Sequence, residues 1–465
     1  MAGIPDDFLI GTSSSAWQIE GNGGKGAGQK SWADLFYETD PSLWIGGQSP
    51  DRACDFYHRY AEDIRTMAGY GMRAFRFTIQ WARFMEDPLT GRVSQDAVAY
   101  YRDVIRAIRE SGMEPVVSLE HWDIPAVLFE KYDGWAGRET VDLYEKYVEA
   151  VLEAFHGDVQ YWFAFTEPTT PIDNGYMEKR WYPFRHDPKA AYQAHFHKML
   201  AISRAVRACR KYEACGCRMG VMLHLTPVYA RSGEARDVQA AYLADLFNVR
   251  LYLDPCLKGE YPPDLIRILQ EQGCMFDCTE EDMEQIRSYR IAMLGADYYF
   301  PIRVKARESA YTKEAFHPEV FYEPWVMPGR LFNSDRGWEI YPQALLDFGI
   351  RIREDYGNIP WFVSENGIGI AGEDRFRGKD GIIDDQYRID FIREHLGYAL
   401  QAREAGSRCF GYLIWSYVDN LSPLNAFKNR YGLLEMDLET LERRPKRSLL
   451  WLQEALAKKE IETGG

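Results

Sequence analysis

The sequence predicts an α/β fold, a single (β/α)8 TIM barrel over residues 1–465 with its active site at the C-terminal ends of the strands. Three observations carry this expectation. Eight short apolar runs alternate with longer amphipathic segments, the pattern of βα units that close into a parallel barrel. No linker, low-complexity segment or break in composition interrupts the 465 residues, and barrels with insertions reach that length as one domain. Polar and aromatic residues gather where the apolar runs end, the rim on which such barrels keep their chemistry.

Taken in order, the first run, 8–12, is Phe-Leu-Ile-Gly-Thr and is followed by Gln18 and Glu20. The second, 74–79, is apolar except for Arg76 and Thr78. The third, 114–119, runs into His121-Trp122-Asp123, and the fourth, 161–165, into Thr166-Glu167-Pro168. The fifth is 218–223. The sixth, 292–299, carries Asp297 and Tyr298. The seventh, 361–364, stops at Glu365-Asn366-Gly367, a turn signal led by a carboxylate that is costly to bury without partners. The eighth, 410–415, ends on Trp415. Helical periodicity fills the intervals at 97–111, 138–155, 188–212, 342–356 and 386–405. One polar strand end means little, but seven behaving alike are poorly explained by core packing.

Composition narrows the function. Apolar residues are 46% and charged residues 27%, enough for a large core. Aromatics reach 14%, with 13 Trp and 30 Tyr, which suits flat apolar sites for sugars or ring-bearing ligands. A net charge of −15 argues against nucleic acid and weakly against anionic membranes. The start, Met-Ala-Gly-Ile-Pro-Asp-Asp7, lacks the basic and apolar regions of a signal peptide, and no apolar run is long enough to span a bilayer. The expected location is the cytoplasm. The eight cysteines (54, 209, 215, 217, 256, 274, 278 and 409) have neither paired C-x-x-C spacing nor a completing His, so reduced thiols are expected and zinc is not. Neither a G-x-G-x-x-G after the first strand nor a P-loop is present, so no cofactor is expected.

The chemistry rests on Glu167 and Glu365, which end strands four and seven and should face each other across the barrel mouth. Two facing carboxylates without a metal cluster point to glycoside hydrolysis, one acting as acid and the other as nucleophile or base. A metal mechanism would need more ligands than His121 and Asp123 supply.

Several motifs then resemble one family nearly end to end. They are Phe8-Leu-Ile-Gly-Thr-Ser-Ser-Ser-Ala-Trp-Gln-Ile-Glu-Gly21, Asp55-Phe-Tyr-His-Arg-Tyr60 and Phe75-Arg-Phe-Thr-Ile-Gln-Trp81, followed by His121-Trp-Asp-Ile-Pro125. Later come Leu253-Asp-Pro255 with Lys258-Gly-Glu-Tyr-Pro262, Gly337-Trp-Glu-Ile-Tyr-Pro342, Ser364-Glu-Asn-Gly367 and Trp415-Ser-Tyr-Val-Asp-Asn420. The chain resembles the family 1 glycoside hydrolases, the β-glucosidase and 6-phospho-β-glucosidase family. The resemblance implies Glu365 as nucleophile and Glu167 as general acid, then base. It implies contacts from Arg76 and Tyr298 to Glu365, sugar-hydroxyl contacts from Gln18, His121 and Trp122, and sugar and aglycone walls from Trp415 and Trp338. The implied partner is a small-molecule β-glycoside or oligosaccharide, not nucleic acid or membrane. A homo-oligomer is compatible with the sequence.

Three departures stand out against that pattern. The acid/base motif, usually Asn-Glu-Pro, is Thr166-Glu167-Pro168, which removes the amide that normally bonds the sugar 2-hydroxyl. The sixth strand reads Asp297-Tyr298-Tyr299 where Asn-Tyr-Tyr is usual, adding a third carboxylate. After the eighth strand, Asp-Asn-Phe-Glu-Trp becomes Asp419-Asn-Leu-Ser422-Pro423, losing the glutamate that bonds hydroxyls 4 and 6. The 6-phospho enzymes carry serine there, with a lysine and a tyrosine downstream. Ser422 and Tyr431 match, whereas the lysine position is Asn429 and Lys428 lies one residue earlier. Arg180, Arg185 and His186 are further candidates for positive charge. The expected function is a retaining β-glycosidase, β-glucosidase-like but with an unusual unphosphorylated glycone; the alternative is a 6-phospho-β-glucosidase or galactosidase. A non-catalytic glycoside-binding relative is the alternative of another class, and the presence of both carboxylates weighs against it. Transglycosylation would use the same residues.

Overall fold

The computed structural model describes residues 2–462. Eight parallel strands close into a barrel: β1 (Leu9–Ser13), β2 (Ala74–Thr78), β3 (Glu114–Ser118), β4 (Tyr161–Thr166), β5 (Arg218–His224), β6 (Met293–Asp297), β7 (Trp361–Asn366) and β8 (Cys409–Trp415). Each pairs with its neighbours in sequence, and β8 closes on β1. Every expected run is a strand, with ends shifted by a few residues. At the rim, β4 reaches Thr166, β5 reaches His224 and β7 reaches Asn366, whereas β6 stops at Asp297, short of the expected 299.

The strands form because each is an apolar run buried on both faces, inside by the barrel core and outside by helices. Phe163, Met222, Met293, Phe362 and Leu413 fill the lower interior as one buried cluster. The expected helices are present as Gln95–Glu110, Glu139–Phe155, Pro188–Arg210, Ala344–Asp355 and Gln386–Glu404. Two of these starts are capped by side chains: Ser94 accepts from the Ala97 N–H, and Asp187 from the Ala190 N–H ahead of Pro188. None of the described helices is long and apolar enough to cross a membrane. All eight cysteines are free thiols.

Register places the chemistry. Asp297 of β6 lies opposite His224 of β5 on one side and Glu365 of β7 on the other. An irregularity between Ala296 and Asp297 shifts the β6–β7 pairing by one residue and brings the two carboxylates level. On the far side of the mouth, Arg76 of β2 pairs with Ser13 of β1, itself opposite Trp415.

Candidate active site

Glu167 and Glu365 meet at the barrel mouth, both buried, and Asp297 joins them. One carboxylate oxygen from each of the three lies within 4.8 Å of the others. Glu365 is held on both oxygens: the fully buried Arg76 guanidinium donates to Oε1, and the Tyr299 hydroxyl donates to Oε2 at 2.7 Å. A cation and a neutral donor both favour the ionised form. Burial pushes the Tyr299 phenol well up, with Glu167 adding to the effect, so it stays a donor.

Tyr298, the tyrosine expected on Glu365, is not there. Its hydroxyl donates to the Tyr341 carbonyl at 2.7 Å and its ring faces His395. Side chains at a strand end alternate in direction. Asp297 points inward, so Tyr298 points out and Tyr299 points in.

Glu167 is gripped differently. Its backbone has a φ of 46°, in the left-handed region. The Thr170 hydroxyl donates to Oε2 at 3.0 Å, and His224 Nδ1 lies 3.0 Å from Oε1. The sequence does not single out His224, because the fifth apolar run ends at Leu223, one residue before it. Burial opposes its charge, but Glu167 and then Asp297 and Asp173 outweigh burial and raise its pKa. Glu167 and His224 therefore form one hydrogen-bonded pair in which the carboxylate favours the imidazolium.

His121 is neutral: burial and then the Arg76 charge lower its pKa well below the usual range. Arg76 donates to Nδ1 at 3.0 Å, which leaves the proton on Nε2, free to bond a sugar hydroxyl. Trp122 does not offer its indole N–H to the mouth, since that group donates to the Glu167 carbonyl at 3.2 Å. Gln18 is buried and already engaged: Nε2 donates to the Leu421 carbonyl (2.5 Å) and Oε1 accepts from Ser15 (2.5 Å), leaving one amide hydrogen. Glu20 is structural, paired with Arg83 at 2.9 Å.

Trp415, Tyr299 and Tyr431 pack together as a buried aromatic wall, with Trp338 and Phe300 against it. Arg76 sits 5.6 Å from the Trp415 ring. Thr166 is buried and its hydroxyl is bonded to Ser118 Oγ at 2.8 Å, so it faces the strand rather than the mouth. Ser422 is half-buried in a turn closed by paired backbone bonds to Ala426. Among the described residues, neither the Ser422 hydroxyl nor the Tyr431 hydroxyl has a protein partner. Lys428 is exposed and lines a separate cavity of about 370 Å³ with Glu373, Asp374 and Glu435. Asn429 is buried. Arg185 is paired with Asp133. A cation that the sequence did not single out, Arg336, lies over the Trp338 ring at 4.1 Å, and its charge acts on Tyr431.

The family model for "Glycosyl hydrolase family 1" matches residues 1–461. The chain belongs to this family. As a family 1 member it is an O-glycosyl hydrolase, and the resemblance read from its motifs holds along its length. It is 43% identical over 454 residues to "6-phospho-beta-glucosidase GmuD" of Bacillus subtilis, with 97% of each chain covered. It is 31% identical over 454 residues to "Beta-glucosidase A" of Acetivibrio thermocellus, covering 97% of this chain and 98% of the other. Among solved structures, a family 1 β-glucosidase from Thermotoga maritima superposes with a TM-score of 0.90 at 29% identity, covering 99% of each chain. Both carboxylates stand at the mouth, with His224 and Thr170 on Glu167 and with Asp297 within 4.8 Å of both.

Proposed function

We propose that this protein is a retaining β-glycosidase with Glu365 as nucleophile and Glu167 as acid/base, acting on a 6-phospho-β-glycoside. The observation that supports the mechanism best is the closeness of the two carboxylates, with oxygens within 4.8 Å. Retention needs carboxyl groups about 5 Å apart, whereas inversion needs roughly 6.5–9.5 Å to admit a water. Glu365, held ionised by Arg76 and Tyr299, attacks C1 while Glu167 protonates the departing glycosidic oxygen. This forms a glycosyl ester on Glu365. Glu167, now a carboxylate, takes a proton from the water that attacks C1 from the opposite side, and Glu365 departs. His121 Nε2–H fixes a glycone hydroxyl, and Trp415 and Trp338 wall the sugar and aglycone.

For the far end of the sugar, the serine in place of glutamate, the unengaged hydroxyls of Ser422 and Tyr431, and the Arg336 cation, which has no carboxylate partner among the described residues, support an anionic group on C6. The name of the 43% identical relative supports it too. The second reading, an unphosphorylated glycone, is favoured by Asn429 at the lysine position and by Lys428 lining the other cavity. A panel of aryl β-glycosides with and without 6-phosphate separates them. The phosphorylated members are expected to be cleaved with kcat/KM about 10⁴-fold or more above their counterparts, the scale of discrimination by a site built around a polar group. Equal or reversed preference would rule out the phosphate. No aglycone release from any member would overturn the glycosidase reading in favour of a binding protein.

His224 gives a pH prediction. His224 lies 3.0 Å from Glu167 and keeps its proton to a higher pH than an ordinary histidine, because Glu167, Asp297 and Asp173 outweigh burial and raise its pKa. Removing the imidazole removes that second site for the proton that glycosylation uses. In His224→Asn, the alkaline limb of the kcat/KM profile is expected to move to lower pH. A limb that stays in place would show that His224 does not share the proton.

A further inference from the structure

The sugar's second carbon has no obvious reader. The residue before the acid/base is Thr166, whose hydroxyl is spent on Ser118 and which lies 3.4 Å from the Met222 sulfur. It offers nothing to a group on C2. Asp297 stands where such a group would lie. It is fully buried, level with Glu365 in the sheet, and within 4.8 Å of both catalytic carboxylates. C1 of the glycone must sit between those two carboxylates, and C2 is one bond away.

Only half of the Asp297 carboxyl is used by the protein. Oδ1 accepts from the Ser364 hydroxyl at 2.6 Å, whereas Oδ2 is buried with no partner among the described residues. A buried polar atom without a partner is costly, and a native structure keeps one where a ligand or a function compensates. A tie from β6 to β7 through Ser364 uses Oδ1 alone and leaves the buried Oδ2 uncompensated.

We propose that Asp297 is the specificity-determining residue for C2 of the glycone, its Oδ2 bonding the oxygen on that carbon in place of the missing amide. This rests on the β-glycosidase reading of the same site. Burial, reinforced by the negative charge of Glu167, pushes the Asp297 pKa up to about 7. Ser364 donates to Oδ1, so the proton of the neutral acid sits on Oδ2 and makes it a donor. The groups facing it are Glu167, Glu365, Arg76, His224 and Ser364. The ligand class is a β-glycoside whose C2 bears an oxygen able to accept a hydrogen bond.

The test compares p-nitrophenyl β-glucoside 6-phosphate and its unphosphorylated counterpart, each with its 2-deoxy analogue, in the wild type, Asp297→Ala and Asp297→Asn. The wild type should favour the 2-hydroxy substrate in kcat/KM by about 100-fold or more, since contacts to this oxygen strengthen in the transition state. In Asp297→Ala the ratio is expected to collapse to within about threefold of unity, while Asp297→Asn, which retains an N–H donor, should keep most of it. A purely structural role would lower both rates together and leave the ratio unchanged. Cleavage with a wild-type ratio in Asp297→Ala would therefore overturn this assignment alone. A wild-type enzyme that cleaves none of these glycosides would overturn the glycosidase reading, and the assignment with it.

Discussion

Glu365→Ala is expected to abolish turnover of aryl β-glycosides, with a loss on the order of 10⁵-fold, while glycone-site inhibitors still bind. Deleting the nucleophile of a covalent mechanism removes the step itself rather than one of its aids. A second consequence follows from the partners of Glu365. Arg76 is fully buried and donates to the lost carboxylate. Stranding such a charge costs about 3–5 kcal/mol, so the alanine variant should also melt earlier than the wild type. Glu365→Gln keeps an amide oxygen to accept from Arg76, and its amide N–H can donate to the Tyr299 hydroxyl oxygen. It should be comparably inactive but closer to wild-type stability, which separates loss of chemistry from loss of fold. Azide added to Glu365→Ala with an activated β-glycosyl fluoride should attack C1 from the vacated side and give the α-glycosyl azide. Near-native kcat in either variant would show that another group is the nucleophile.

The barrel was legible because its strands are apolar runs closed by turn signals, and because a carboxylate at a strand end has few structural reasons to be there. Glu167 and Glu365 stand where that logic puts them, and Arg76 meets Glu365 as the family resemblance implies. Errors began where a single residue's direction mattered. Tyr298 and Tyr299 are chemically identical and adjacent in sequence, and only the inward direction of Asp297 decides between them. Trp122 and Gln18 were read as sugar ligands, yet their polar atoms are largely committed to the Glu167 carbonyl, Leu421 and Ser15. Motif resemblance names a position but does not count the hydrogen bonds already made there. His224 escaped because the apolar run ends at Leu223, while the backbone pairing that carries β5 on to Asp297 is a long-range property. Arg336 escaped for a related reason: it lies in an irregular loop, and only tertiary structure sets its charge over Trp338 and near Tyr431. The outward course of Lys428 was equally invisible, since a one-residue offset in a turn changes which cavity a side chain enters.

The second large effect belongs to Glu167, and it differs in kind from the first. In Glu167→Ala the nucleophile remains, so glycosylation should survive for substrates whose leaving groups need no proton. A 2,4-dinitrophenyl β-glycoside is expected to form the ester on Glu365 at a rate near that of the wild type. An alkyl or sugar aglycone, which must be protonated to depart, should lose on the order of 10³-fold or more, within the usual range for a positioned general acid. Hydrolysis of the ester then becomes slow, because no carboxylate takes the proton from water. The intermediate should accumulate and show as a burst of dinitrophenol. Azide needs no general base, and the space left by the side chain admits it on the face opposite Glu365. It should therefore restore turnover and yield the β-glycosyl azide, the opposite anomer to that from Glu365→Ala. Two variants giving opposite anomers from one glycone would assign each carboxylate to its side of the sugar, independently of any rate. If Glu167→Ala slowed activated and unactivated substrates equally, with no burst and no azide rescue, Glu167 would be a structural carboxylate held by Thr170 and His224. The proton donor would then be sought in its neighbours, His224 and Asp297.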